Sequence, residues 1–141
     1  MIGTMNLNAA IDQFYLVPRL KSGSVNRVTE SRAAAGGKGM NVARVISQCG
    51  YSAAAAGFRG GASGEVIRRE LERLGIRDFY TDTGLECRRC LNVKDASDGS
   101  QTELLEPGPQ IPLQLQEQFL QDFDCMAVLC QVLTLSGSAP A

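Results

Sequence analysis

Residues 34–44 read AAGGKGMNVAR, a glycine-rich turn with one lysine that opens onto a helical pattern. Free amides at a helix start, the positive end of the helix dipole and an adjacent ammonium together suit an anion. Two nucleotide patterns fail here. A P-loop needs G-x-x-x-x-G-K-[ST], but Arg32 stands at the first glycine position and Gly39 follows Lys38 where a hydroxyl is required. In the dinucleotide pattern G-x-G-x-x-G, Val42 occupies the third glycine position, and no clean strand pattern runs directly into the turn. The plain alternative is a glycine hinge with Lys38 exposed.

The remaining chemistry-bearing residues exclude more than they assign. The chain has no histidine, which removes every Ser-His-Asp and Cys-His hydrolase. Its five cysteines are an odd set at irregular positions, a poor disulfide framework. Cys87 and Cys90 have C-x-x-C spacing, but on a strand they point to opposite faces, and Cys125 and Cys130 are expected to be helical and distant. Zinc is therefore not expected. The lone Asp82-Thr83-Gly84 triplet, which an aspartic protease would need in a fuller pattern, reads as a surface turn.

Composition sets the class. A hydrophobic fraction of 44% and a charged fraction of 21% describe a globular chain, and 141 residues suffice for one domain with a real core. A net charge of −1 provides no field for nucleic acid or anionic membrane. Arg68, Arg69, Arg73 and Arg77 cluster, but Glu65, Glu70 and Glu72 are interleaved with them, as on a solvated helix face. No apolar run approaches the ~20 residues that span a bilayer. The opening MIGTMNLNAAID lacks a basic n-region and a long apolar core, so a cytoplasmic location is expected.

The elements that would position the glycine turn follow from periodicity. IGTMNLN reads as a first strand, with QFYLV (13–17) and SVNRVTE (24–30) as further extended pieces. From Met40 the period becomes helical through Val42, Ala43, Val45, Ile46 and Cys49, with Gly50 as the stop. SAAAAGF (52–58) favours a buried strand. GEVIRRELERLG (64–75) is the clearest helix. Ser63 is its expected cap, Val66, Ile67, Leu71 and Leu74 its buried side, Gly75 its end, and Glu65–Arg69 and Arg68–Glu72 its supporting pairs. FYTD, CRRCLNV and QTELLE are short extended pieces with no helices between them, which suggests a separate small sheet inserted as a flap. A helix over 113–124 or longer leads into the buried strand VLTL and the turn Ser136-Gly137-Ser138. Strand and helix alternation of this kind specifies an α/β parallel sheet.

The ordered set LN-AAID, VNRVTESR-AAGGKGMNVARV, GFRGGASGE, CR with ELLEPGP, and LSGS resembles the N-terminal part of the ribokinase-like (PfkB-type) sugar kinases. The similarity is greatest to the branch containing 1-phosphofructokinase and tagatose-6-phosphate kinase, and it runs from Met1 to Ala141. It implies a three-layer α/β/α sheet, incomplete here, with a small β-sheet lid from about 13–33 and 87–106. It also implies transfer of the ATP γ-phosphoryl group, with Mg2+, to a hydroxyl of a phosphorylated ketohexose such as fructose 1-phosphate or tagatose 6-phosphate.

By this resemblance Asp12 binds sugar hydroxyls, which a carboxylate can do through two acceptor oxygens. Gly36 and Gly37 let the backbone approach the sugar where lid joins body. Lys38 and Arg88 hold the substrate phosphate, and Asn41 and Ser138 contact the sugar. Arg27 is a lid residue that the family sometimes contributes across a homodimer. The phosphate at the glycine turn is then the substrate's. The sequence departs from the pattern at Ala9, where proline is usual, and at Cys90 and Leu105, where asparagines are expected.

The family's GAGD motif, whose aspartate is the catalytic base, does not occur in the chain. No catalytic residue is therefore assigned. The expectation is a truncated substrate-binding half, inactive alone and binding neither ATP nor Mg2+ well. Two alternatives differ in class: a non-catalytic sugar-phosphate binding module or regulator, and a half-domain that binds only after a complementing chain joins it.

Overall fold

The computed structural model describes residues 1–140. In chain order the elements are β1 (Ile2–Asn6), β2 (Ala10–Val17), β3 (Glu30–Gly36), α1 (Lys38–Gln48), β4 (Ala53–Arg59), α2 (Gly61–Arg73), β5 (Arg77–Asp82), β6 (Arg88–Asp95), β7 (Gln101–Leu105), α3 (Leu113–Ala127) and β8 (Val132–Leu135). They form two four-stranded sheets. The body sheet has order β5-β4-β1-β8 and is parallel throughout; the lid sheet has order β3-β2-β6-β7. In the lid, β2 and β6 run parallel while β3 and β7 flank them antiparallel. The mixed α/β architecture with a separate small sheet is the one the resemblance implied.

Helices cover the body sheet on both faces, as parallel sheets require. On one face α1 packs on β1 and β4 and α2 on β5. Met40, Ala43, Ile67 and Leu71 meet Ala53 and Ala55 there. On the other face α3 crosses β4 and β5, and Phe119 and Met126 meet Ala54, Ala56 and Phe58. The Phe58 and Phe119 rings lie 4.9 Å apart in a tilted pair. The alanine run of β4 is what lets helices approach closely from both sides: Ala53 through Ala56 are all buried.

Several expectations need correction. Residues 24–29 form a loop rather than a strand, and the strand lies instead at β3, running straight into the glycine turn. Three successive alanines hid it. It belongs to the antiparallel edge of the lid, so it does not restore a dinucleotide fold. FYTD lies in β5, which pairs parallel with β4 in the body and not in the flap.

Helix starts also move. Helix α1 begins at Lys38, and α2 begins at Gly61 rather than Gly64. Ser63 does not cap α2, whose N-cap is Gly60 with no side-chain bond. Val66 is exposed, while Ile67 and Leu71 are fully buried as expected. Cys87 precedes β6 and Cys130 follows α3, so neither sits in the element anticipated for it. Gly50 and Gly75 do terminate their helices with positive φ. The arginine cluster is a solvated face: Glu65–Arg69, Arg68–Glu72 and Arg73–Glu70 pair along α2.

Candidate functional site at the root of the lid

The chain passes between body and lid at residues 7–9, at Gly36 and Gly37, at 83–87 and at 106–112. Around these passages gather Gly36, Gly37, Lys38, Arg88 and Ser138, with Asp12 nearby.

Lys38, Arg88 and Ser138 line one cleft of about 330 Å³ with Asn6, Asn8, Cys90, Leu105 and Gly137. Lys38 is the first residue of α1, whose N-cap Gly37 has no side chain and whose first turn holds no acid. The helix therefore presents uncapped amides beside an ammonium. The positive φ of 97° at Gly37 sharpens the turn from β3 into α1, and a Cβ there would strike the Asn6 amide. Gly137 also has positive φ and brings the Ser136–Ser138 turn against the Lys38 stem, 3.5 Å from its Cβ by the position a Gly137 Cβ would take.

Asp12 lines an adjoining cavity of about 390 Å³ on the same lid face. It is the third residue of β2. The register sets Ala10 beside Arg88 and Asp12 beside Cys90, so Asp12, Arg88 and Cys90 share a face. Cys90 and Leu105 border both cavities and join them into one trough. Burial pushes the Asp12 carboxyl above its ordinary value; the positive charges of Arg88 and Arg44 oppose this, and Glu103 adds to it. Burial likewise raises the Cys90 thiol. A Cβ at Gly36 would overlap the Asp12 carboxylate, so that glycine is what gives Asp12 its place.

Two predicted residues stand apart. Asn41 is exposed on α1 and lines neither cavity; its Oδ1 accepts from Arg44 Nη1 at 2.6 Å. Arg27 is exposed in the loop between β2 and β3, at the far end of the lid.

The sequence reading missed Asn6 and Asn8. Asn6 is buried in β1, and its Nδ2 donates to the Gly36 carbonyl at 3.2 Å and to the Tyr80 hydroxyl at 3.0 Å. It fastens the lid hinge to the body. Asn8 donates to Ser138 Oγ at 3.2 Å, and its carbonyl accepts from Arg88 Nε at 3.3 Å. Its own Oδ1 is buried beside Gly108 and has no hydrogen-bond partner among the described residues. A polar residue inside an otherwise apolar strand was the available signal for Asn6.

Among the described residues no group of three Cys, Asp or Glu side chains is placed to hold a metal ion. Among the described residues no helix is long and apolar enough to cross a membrane.

Comparison with known proteins gives the family. The chain matches the pfkB family carbohydrate kinase description over residues 2–140, and it belongs to that family. A Thermotoga maritima structure described as a possible 1-phosphofructokinase superposes with a TM-score of 0.90 at 26% identity, over 99% of this chain and 45% of that one. Escherichia coli phosphofructokinase-2 in complex with fructose-6-phosphate matches with a TM-score of 0.86 at 28% identity, over 99% and 46%. The tetrameric inhibited form of the same enzyme matches at 0.84 and 28%, over 99% and 45%. The chain thus spans under half the length of these relatives.

Proposed function

We propose that, within the pfkB kinase family, this chain supplies the sugar-phosphate half of the active site. Its ligand is a phosphorylated ketohexose such as fructose 1-phosphate or tagatose 6-phosphate. The observation that carries the reading is the cleft at the start of α1, where Lys38, Arg88 and Ser138 meet from distant parts of the sequence.

The chemistry of each group follows from its type. Lys38 contributes a point charge, and Arg88 a planar fork of donors that matches phosphate oxygens. The uncapped amides of α1 add donors that cost no reorganisation. Asp12, ionised, accepts two hydroxyl hydrogen bonds across the trough. The wall made by Cys90 and Leu105 offers no strong donor or acceptor, so the sugar carbon facing it is held by shape alone. Asn41 and Arg27 join the ligand only if it, or a second copy, reaches past the trough.

Transfer of a phosphoryl group needs more: donor phosphates, Mg2+ and a base at the acceptor hydroxyl. Neither a P-loop nor, among the described residues, an acidic metal cluster offers itself for those groups. We assign ATP, Mg2+ and the catalytic base to the remainder of the kinase fold. Strand β8 supports that assignment. It is the edge of the body sheet, yet Val132, Leu133 and Leu135 are exposed and no charge or proline guards it. Helices α1 and α3 pack chiefly on other strands and leave most of β8 exposed. A strand in a parallel sheet is normally covered on both faces, so β8 is shaped to receive more of the fold. A cytoplasmic location remains part of this proposal.

A thermal-shift panel of the 141-residue chain tests it. Fructose 1-phosphate, fructose 6-phosphate and tagatose 6-phosphate are compared with unphosphorylated fructose, each at about 100 times a fitted Kd. Selective binding at that ratio is worth about 2.7 kcal/mol and raises Tm by several degrees. No shift with any sugar phosphate, or an equal shift with fructose, contradicts the site. ATP-dependent phosphorylation by the purified chain contradicts the assignment of the chemistry elsewhere.

A further inference from the structure

The passage from β5 into the lid, residues 83–87, carries contacts that the proposed site does not use. Helix α2 begins at Gly61 with Gly60 as a side-chain-free cap and no acid in its first turn. Its leading amides need an acceptor from elsewhere. Glu86 supplies one from 23 residues away along the chain, counted to Ser63. Its carboxylate accepts the Ala62 amide at 2.8 Å and the Ser63 amide at 3.0 Å. The Ser63 hydroxyl donates to the same carboxylate and accepts the Cys87 amide at 2.7 Å. Gly61 makes the room, because a Cβ there would overlap the Glu86 carboxylate. Upstream, the Thr83 amide is tied to the Arg59 carbonyl at 2.7 Å.

Glu86 and Cys87 are thus both fastened to the head of a body helix, and the next residue is Arg88, where β6 starts. We propose that Glu86 is a positioning residue: it clasps the root of the lid to α2 and so fixes where Arg88 enters the anion cleft. This rests on the phosphate role proposed for Arg88. The clasp works together with the Asn8 backbone carbonyl, which accepts the Arg88 Nε–H at 3.3 Å. Released at Glu86, β6 retains its pairing with β2 and the Cys87–Ser63 bond but loses the carboxylate tie to the head of α2, so Arg88 is held less firmly in the cleft.

The cap is an ordinary helix-stabilising contact as well, so the decisive readout must be one that helix stability alone leaves unmoved. Carboxylate hydrogen bonds of this kind also hold the Glu86 carboxyl below its ordinary value, with Arg89 the neighbouring cation that favours the same direction. Because Glu86 is exposed to water, the expected effect is moderate.

The test is a double-mutant cycle on the full chain, read by calorimetric Kd for inorganic phosphate and for fructose 1-phosphate. Arg88→Ala weakens both ligands by about tenfold or more, and Glu86→Ala by about fivefold; in the Arg88→Ala background Glu86→Ala adds less than about twofold. Glu86→Gln, which keeps one acceptor oxygen, recovers part of the loss. If Glu86→Ala lowers Tm but leaves both Kd values unchanged, Glu86 is a helix cap only and the proposal is overturned. Should Glu86→Ala fail to fold, an unchanged Kd for Glu86→Gln overturns it equally. If Arg88→Ala itself leaves phosphate affinity unaltered, the site reading fails and the positioning role falls with it, a result distinct from failure of Glu86 alone.

Discussion

The body sheet and the lid sheet have four strands each, yet they are stabilised in opposite ways. In the body, β4 is buried along almost its whole length between helix layers; in the lid, β7 is exposed at every residue. Lid burial is confined to the two ends of its strands: Ala10, Ile11 and Ala35 at the root, and Val17, Val93 and Asp95 at the tip. The middle of the lid therefore owes its order to cross-strand pairing and leaves its face open. The lid is thus an open face of mixed polarity standing on a buried root, and the cavity beside Asp12 is lined by lid strands alone. Strand β8 belongs to the body by pairing but resembles the lid in exposure.

Substitution should separate the two regions sharply. Leu71→Ala, at a fully buried body position, is expected to cost about 2–5 kcal/mol in urea unfolding, and Leu104→Ala on β7 within about 0.5 kcal/mol. A comparable cost at Leu104 would break the comparison by showing that the lid face is covered in solution. The hinge between the regions comes next. Gly37→Ala meets both a positive φ and the Asn6 amide and should cost about 1–3 kcal/mol, while Gly36→Ala should harm sugar affinity more than stability by displacing Asp12.

Acidification sharpens the contrast further. The Asp12 carboxyl titrates above its ordinary 3.8, so sugar affinity should fall as pH drops through that raised value, and Asp12→Asn should abolish the dependence. In stability the signs run in opposite directions. Asp12 holds its proton more tightly when folded, so it favours the fold as pH falls through its raised value. Glu86 has a lowered value, so its contribution is present above the ordinary 4.5 and is lost as pH falls through the lowered one. Proton-linked unfolding of wild type, Asp12→Asn and Glu86→Gln checks both directions. The smallest effect is expected on the solvated face of α2, where Arg69→Ala should stay within about 0.5 kcal/mol and shrink in salt.

Helices and body strands were legible in the sequence because apolar periodicity records burial. Met40, Ala43, Ile67 and Leu71 sit where the 3.6-residue pattern put them. The lid was harder to bound for the same reason. With its faces open, β3 shows only three alanines and no alternation, so the strand entering the glycine turn was invisible. The start of α2 was misplaced because its cap comes from Glu86, and a long-range carboxylate leaves no local pattern. In the trough, the residue types of Lys38, Arg88 and Asp12 could be named in advance through the family resemblance. Their convergence was likewise implied only by that resemblance, because the Ala10–Arg88 register that produces it leaves no local pattern. Asn8 escaped because its role is made by tertiary contacts with Ser138 and Arg88.

The central proposal is an anion between Lys38 and Arg88 at the head of α1. A crystal structure of the chain with fructose 1-phosphate tests this most directly. The account predicts the phosphate within hydrogen-bond reach of Lys38 Nζ, the Arg88 guanidinium and the leading α1 amides, with sugar hydroxyls on Asp12. A phosphate bound elsewhere, leaving Lys38 and Arg88 free, would contradict it.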